Sequence, residues 1–91
     1  MAKKLNPKEA LVVILNQDPD IVIHKMWNYS FNYYLIFAMH DESEYFNDPY
    51  YLVDKHTGQK RRFSSAENFR KFFRVTNKEP LVSLKEEKNS E

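Results

Sequence analysis

The stretch Tyr50–Phe73, YYLVDKHTGQKRRFSSAENFRKFF, constrains the fold most. It carries the signals of four consecutive elements. Tyr50–Asp54 is an apolar strand, and Asp54–Gly58 reverses the chain, with Gly58 free to take positive φ at no steric cost. Gln59–Phe63 returns as a strand in which only Phe63 is large and apolar. Its Lys60, Arg61 and Arg62 are the charges that guard a sheet edge against stray pairing. Ser64 and Glu67 form an S-x-x-E helix start, and Ala66, Phe69 and Phe73, widened by Phe72, are expected to be the core-facing stripe.

The preceding residues extend this pattern. Asn6 is the expected N-cap of a first helix, with Pro7 in the first helical position and Glu9 closing a capping box. The run Ala10–Leu15 is apolar on most sides and suits packing against a sheet, and Pro19 ends the helix by pushing Asp18 out of helical geometry. Residues 20–29 read as a strand with Ile21, Ile23, Trp27 and Tyr29 on one face. A turn near Ser30-Phe31 returns the chain as Tyr33–His40, which is apolar on both faces. Tyr33, Leu35, Phe37 and Met39 share one side, and Tyr34, Ile36, Ala38 and His40 the other. Such a strand is central and covered twice, by a helix on one side and by a loop, the tail or a partner on the other. Asp41–Pro49 reads as an acidic loop.

The expected fold class is α+β, in the order α-β-β-β-β-α, with an antiparallel meander sheet packed against an N-terminal and a C-terminal helix. Residues 1–76 form a single domain. Residues 77–91 form a polar C-terminal tail, in which Pro80–Leu84 is able to add a short strand and Lys85 onward is too polar to bury anything, so that disorder is expected. At 91 residues the chain supports one modest core. The N-terminus, MAKKLNPKEA, lacks the apolar segment of a signal peptide, and the longest apolar run, Tyr33–Met39, is far short of a membrane span. A soluble cytoplasmic protein without membrane contact is expected.

Signatures of catalysis are largely missing. Gly58 is the only glycine, which excludes a Gly-rich phosphate loop, and the absence of cysteine excludes disulfides, thiolate metal sites and a Cys nucleophile. Pairing about the Ser30-Phe31 turn places His24 opposite Phe37 and His40 opposite Ile21, so the histidines do not converge on a metal. His40, beside Asp41, is favoured as structural over a general base because no nucleophile accompanies it. Asp41, Glu42, Glu44 and Asp48 lack the glycine and terminal glutamate of a calcium loop and read as solvated. No enzyme activity, cofactor, metal or small-molecule substrate is indicated.

Partners are indicated instead. Residues 41–54 carry five acidic side chains and no Lys or Arg, whereas residues 55–74 carry seven basic side chains against Glu67 alone. The rings between Trp27 and Tyr51 exceed what one helix-covered sheet face hides, and interfaces are enriched in aromatic residues and arginine. The candidate partner-binding surface is Tyr45, Phe46 and Tyr50 with Arg61, Arg62 and Arg74. A protein partner, or self-association as a homodimer through the uncovered sheet face, is the leading expectation. Nucleic-acid binding by Lys60, Arg61 and Arg62 with Arg70, Lys71 and Arg74 is the alternative. Against it stand the near-neutral chain and helix phenylalanines better explained as core than as base-stacking platforms.

The run Tyr51–Gly58 (YLVDKHTG), followed by a short strand and Ser64–Phe69 (SSAENF), resembles the C-terminal half of small immunity-protein-like domains of the YrhB type. In those domains an aromatic-Ile/Val-Asp-Lys-x-x-Gly hairpin precedes a terminal helix. The resemblance implies a bacterial or mobile-element protein that acts without catalysis by binding another protein, such as a toxin. The chain departs from that pattern in its basic fourth strand and polar tail, and the resemblance assigns no functional residue.

Overall fold

A computed structural model describes residues 3–83. The chain is α+β: a helix, a four-strand antiparallel meander and a second helix, followed by a fifth short strand. Helix α1 (Pro7–Gln17) starts where its cap residues require. Asn6 Oδ1 accepts the Glu9 N–H at 2.8 Å and Glu9 Oε1 accepts the Asn6 N–H at 2.9 Å. Strands β1 (Val22–Asn28), β2 (Tyr33–Met39), β3 (Tyr50–Asp54), β4 (Lys60–Arg62) and β5 (Val82–Ser83) form one sheet in the order β4-β3-β2-β1-β5. Helix α2 (Phe69–Thr76) lies in the connection between the two edge strands, so the chain passes from one edge to the other across one sheet face.

The two helices occupy opposite faces, which follows from β2. Its Ile36 packs with Ala10, Leu11 and Ile14 of α1, together with Ile23, Met26, Tyr34 and Val53. Its Leu35 packs on the other side with Trp27, Phe63 and Val75. Leu35 and Ile36 are both fully buried. A strand apolar on both faces is stable only when both are removed from water. The second cover, expected to be a loop, the tail or a partner, is instead α2, whose Val75 and Phe72 pack on Leu35.

Strand β1 departs from simple alternation. The register runs Val22↔Met39 and Ile23↔Ala38, then slips to Lys25↔Phe37, leaving His24 as an extra residue in a bulge. A bulge reverses which face the following residues meet. Ile21 and Ile23 thus lie with the α1 core, whereas Trp27 lies with the α2 core. The shared face expected for Ile21, Ile23, Trp27 and Tyr29 is corrected accordingly, as is the pairing of His24 with Phe37.

Helix α2 also differs from expectation. It begins at Phe69, and Ser64 caps a preceding turn, accepting the Glu67 N–H at 3.2 Å. The buried side is formed by Val75 with the half-buried Phe72, while Ala66, Phe69 and Phe73 are exposed. After α2 the chain stays with the fold. The Trp27 indole donates to the Lys78 carbonyl at 3.1 Å, the Leu81 N–H donates to Met26 O at 2.7 Å, and β5 pairs with Lys25 and Met26. Within the residues assigned to the tail, Val82 and Ser83 add the short strand that Pro80–Leu84 was expected to be able to supply, and Leu84 onward lies outside the described residues.

The β3–β4 turn docks on α1. Gly58 has φ +81°, and a Cβ placed on it would lie 2.5 Å from Val13 Cγ1 and 2.8 Å from Val13 Cβ. Nearby, the Leu5 N–H donates to Lys55 O at 2.7 Å and the Tyr34 hydroxyl donates to Leu5 O at 2.8 Å. Gly58→Ala combines left-handed strain with overpacking, and is expected to lower the unfolding free energy by about 2–4 kcal/mol. Urea unfolding followed by Trp27 emission measures it, and a loss below about 0.5 kcal/mol would contradict the close approach.

Candidate functional site

The α2 face carries a line of aromatic contacts that reaches the surface at one end. Its centre is Phe37 on β2. The bulge turns the His24 ring onto Phe37 at a centroid distance of 5.1 Å. From the neighbouring strand Tyr50 stacks on Phe37 at 5.3 Å, and Phe72 of α2 meets Tyr50 edge-on at 4.8 Å. In the other direction Tyr45 meets Phe37 edge-on at 6.1 Å, and Phe46 meets Tyr45 edge-on at 5.4 Å. Edge-on and offset contacts are the favourable geometries for rings of this quadrupole.

Tyr45 and Phe46 stand on a short 3-10 helix, Glu42–Phe46, inside the segment read as an acidic loop. Its acidic residues order it. Asp41 accepts the Ser43 N–H at 2.8 Å as the cap, which holds the Asp41 carboxyl below its ordinary pKa. Glu44 accepts the His40 backbone N–H at 2.8 Å. The segment ends at Asp48, whose φ of 57° lies in the left-handed region that Asp tolerates. The Asp48 carboxylate accepts from the Ser65 N–H at 2.8 Å and the Ser65 hydroxyl at 2.7 Å, tying this segment to the chain that enters α2.

Between this 3-10 helix and the sheet is an open apolar groove of about 570 Å³, with Val22, His24, Phe37 and Met39 as its floor and Tyr45 and Phe46 on its wall. Asp41 and Glu42 lie on its rim. A second, more polar cleft of about 710 Å³ lies among Tyr29, Tyr33, Leu52, Arg61, Phe63 and Glu67.

The six sequence-derived candidates do not form one surface. Tyr45 and Phe46 are exposed, at 56% and 87%, as their place among acidic residues suggested. Tyr50 joins them through Phe37, but it is half-buried, and burial pushes its hydroxyl pKa up. Arg61 lies over Tyr33 at the second cleft, 5.2 Å from the ring centroid. Arg62 is a structural anchor. Its guanidinium donates to the Asn47 carbonyl at 2.6 Å and the Tyr51 hydroxyl at 3.2 Å, and lies over the Tyr51 ring. Arg74 is exposed in the last turn of α2.

The basic block is dispersed in the same way. Lys55 is buried, donates to Asn28 Oδ1 and lies over the Tyr34 ring, and desolvation lowers its pKa. Lys60 pairs with Asp18 at 3.0 Å, and Lys71 lies 4.6 Å from the Tyr29 ring centroid. Among the described residues Arg70 and Arg74 enter no ion pair. The surface residues missed by sequence reasoning are Val22, His24, Phe69 and Phe73. The phase of the α2 stripe was the available signal: Phe72 and Val75, three apart, form an alternative core pair.

His40 has two carboxylate partners, and neither is Asp41. Its Nε2 lies 2.7 Å from Asp18 Oδ2, after α1, and its Nδ1 lies 3.4 Å from Glu44. The Asp18 bond above all raises the His40 pKa, while bonds from Lys60 and then His40 lower that of Asp18. The arrangement joins the α1 exit, the end of β2 and the 3-10 helix. Among the described residues no group of three or more His, Cys, Asp or Glu side chains is arranged to hold a metal ion. No helix of the described residues is long and apolar enough to cross a membrane.

Because the folded His40 binds its proton more tightly than the unfolded one, its contribution is complete below the unfolded imidazole pKa. It is lost as pH rises through the higher folded value. Asp18, with its lowered pKa, contributes above the unfolded carboxylate pKa and loses that contribution on acidification. The stability difference between the wild-type protein and His40→Gln should therefore be largest below the ordinary imidazole pKa of about 6.5 and shrink as the pH is raised above it. Thermal unfolding of both proteins on either side of that value measures it, and a difference that grows with pH would refute the pairing.

No family model, curated protein or solved structure matches the chain.

Proposed function

We propose that this chain is a non-catalytic protein-binding module whose contact surface is the aromatic end of the α2 face. The observation that carries this reading is the exposure of four large rings in so small a domain. Tyr45 and Phe46 stand on the 3-10 helix, and Phe69 and Phe73 stack on α2 with centroids 5.6 Å apart. Scattered apolar residues are ordinary on protein surfaces, whereas clustered rings beside a formed groove are what interfaces present. The 3-10 helix that presents Tyr45 and Phe46 is held by Asp41, Glu44 and Asp48, so little ordering entropy remains to oppose docking. The likeness of Tyr51–Gly58 and Ser64–Phe69 to immunity-protein-like domains supports the same reading. It suggests a cytoplasmic bacterial or mobile-element protein with a toxin as partner.

A second reading has one specific observation in its favour. Phe69 and Phe73 are outside the core and share α2 with Arg70, Lys71 and Arg74, a pattern that also suits single-stranded nucleic acid. Against it, Lys55, Lys60 and Arg62 are already engaged within the fold.

Affinity capture from the native cell, with and without nuclease, separates the two readings. A protein partner is expected to survive nuclease. Phe46→Ala should weaken its binding by about 2 kcal/mol or more, whereas Arg61→Ala should mainly slow association. Recovery of nucleic acid, with an affinity that falls steeply as salt rises, would replace this reading with the second.

A further inference from the structure

We infer that the second cleft, at the β1–β2 turn end of the α2 face, binds an acidic segment of a protein partner, with Arg61 and Lys71 receiving its carboxylates. The site lies at the opposite end of that face from Tyr45 and Phe46, and it goes beyond the reading of the aromatic end.

The sheet builds the floor of this cleft. The Tyr29 N–H donates to the Tyr33 carbonyl at 3.0 Å, so the two tyrosines stand opposite one another where β1 turns into β2. Residues opposed in this way direct their side chains to the same face. Leu52, opposite Arg61, continues the floor toward the edge strand. Each tyrosine carries a cation. Arg61 lies 5.2 Å from the Tyr33 ring centroid and Lys71 lies 4.6 Å from that of Tyr29. A cation held against a ring is fixed in position but keeps its charge.

What these cations lack is a carboxylate. Among the described residues neither Arg61 nor Lys71 enters an ion pair. Two acidic side chains of the adjoining strand ends are committed elsewhere. Asp54, opposite Tyr33, accepts the His56 N–H at 2.7 Å and the Thr57 N–H at 3.2 Å. Asp48 accepts from the Ser65 N–H and hydroxyl. Only the exposed Glu67 competes at the rim. On α2, Arg74 is about 60° around the helix from Lys71 and adds an unpaired charge to the same flank. A carboxylate supplied from outside would form charge-assisted hydrogen bonds with donors already in place.

The same features favour an acidic protein segment over nucleic acid. A strand of phosphates needs a continuous basic track and rings open to stacking. Here Tyr29 and Tyr33 are half-buried beneath their cations, and Glu67 interrupts the track. The exposed Phe69 and Phe73 lie about 160° around α2 from Lys71, away from this cleft.

Titration of the isotope-labelled full-length protein with acetylated, amidated tetraglutamate at low salt, followed by NMR, tests the inference, with circular dichroism as the control for folding. Saturable shifts are expected at Tyr29, Tyr33, Arg61 and Lys71, weakening as salt is added. Arg61→Ala and Lys71→Ala should each lower the affinity by about twofold to fivefold, and Glu67→Gln should raise it. Lys8→Ala makes the same charge change on α1, across the sheet, and should leave the affinity unchanged. Absence of saturation, an affinity unmoved by Arg61→Ala and Lys71→Ala, or an equal loss in Lys8→Ala would each overturn the inference. Tighter binding of a thymidine pentanucleotide of matching charge at this cleft would assign it to nucleic acid instead. None of these readouts involves Phe46, so failure here leaves the reading of the aromatic end standing, and failure of capture through Phe46 leaves this cleft standing.

Discussion

Everything in this molecule is arranged around burying both faces of β2. Leu35 and Ile36 are adjacent, fully buried and directed to opposite sides of the sheet, so neither core exists without the other. Truncating either removes the packing of a whole layer, a class of change that costs about 2–5 kcal/mol. In a domain this small that is a large part of the total stability. The two-sided strand also explains why the helices from the two ends of the chain lie on opposite faces and why α2 must cross the sheet. The α2 layer buries Leu35 and Trp27 but leaves Phe37 only partly covered. One end of that face is left open.

Polar anchors determine what is presented there. Asp18, His40, Glu44 and Lys60 join the exit of α1 to the end of β2, to the 3-10 helix and to the edge strand. Asp48, Ser65 and Arg62 join the far side of the same segment to the entry of α2 and to β4. These bonds are partly exposed and individually modest. Their effect is positional: they hold Tyr45 and Phe46 outward on a segment whose composition alone suggests a solvated loop. Of the charges that sequence reasoning assigned to a partner, Lys60, Arg62 and Lys71 are engaged within the fold, whereas Arg70 and Arg74 enter no ion pair among the described residues.

Much of the architecture was legible from local signals. The Asn6–Glu9 capping box, the positive φ of Gly58, the doubly apolar β2 and the charged edge strand each follow from interactions within a few residues, and each appears where expected. The exposed Tyr45–Phe46 pair was legible for the same reason, since rings among carboxylates have no local apolar neighbours. What failed was phase. The bulge at His24 shifts half of β1 to the other face, and the S-x-x-E signal belongs to a turn that precedes α2, so the stripe rotates from Phe69 and Phe73 to Phe72 and Val75. Neither shift has a local cost large enough to be read from residue types.

The sequence by itself determined the element order, the helix start at Asn6, the turn at Gly58 and the need for two covering layers. Those depend on backbone capping, steric freedom and periodicity, all of which act over short separations. Only the tertiary structure decided which helix covers which face, which arginine is an anchor, which phenylalanines remain in water and where the aromatic groove opens. Those outcomes depend on contacts between residues far apart in the chain. Arg62 with Asn47, Asp18 with His40 and Trp27 with Lys78 are examples. Their geometry exists only once the sheet has brought its partners together.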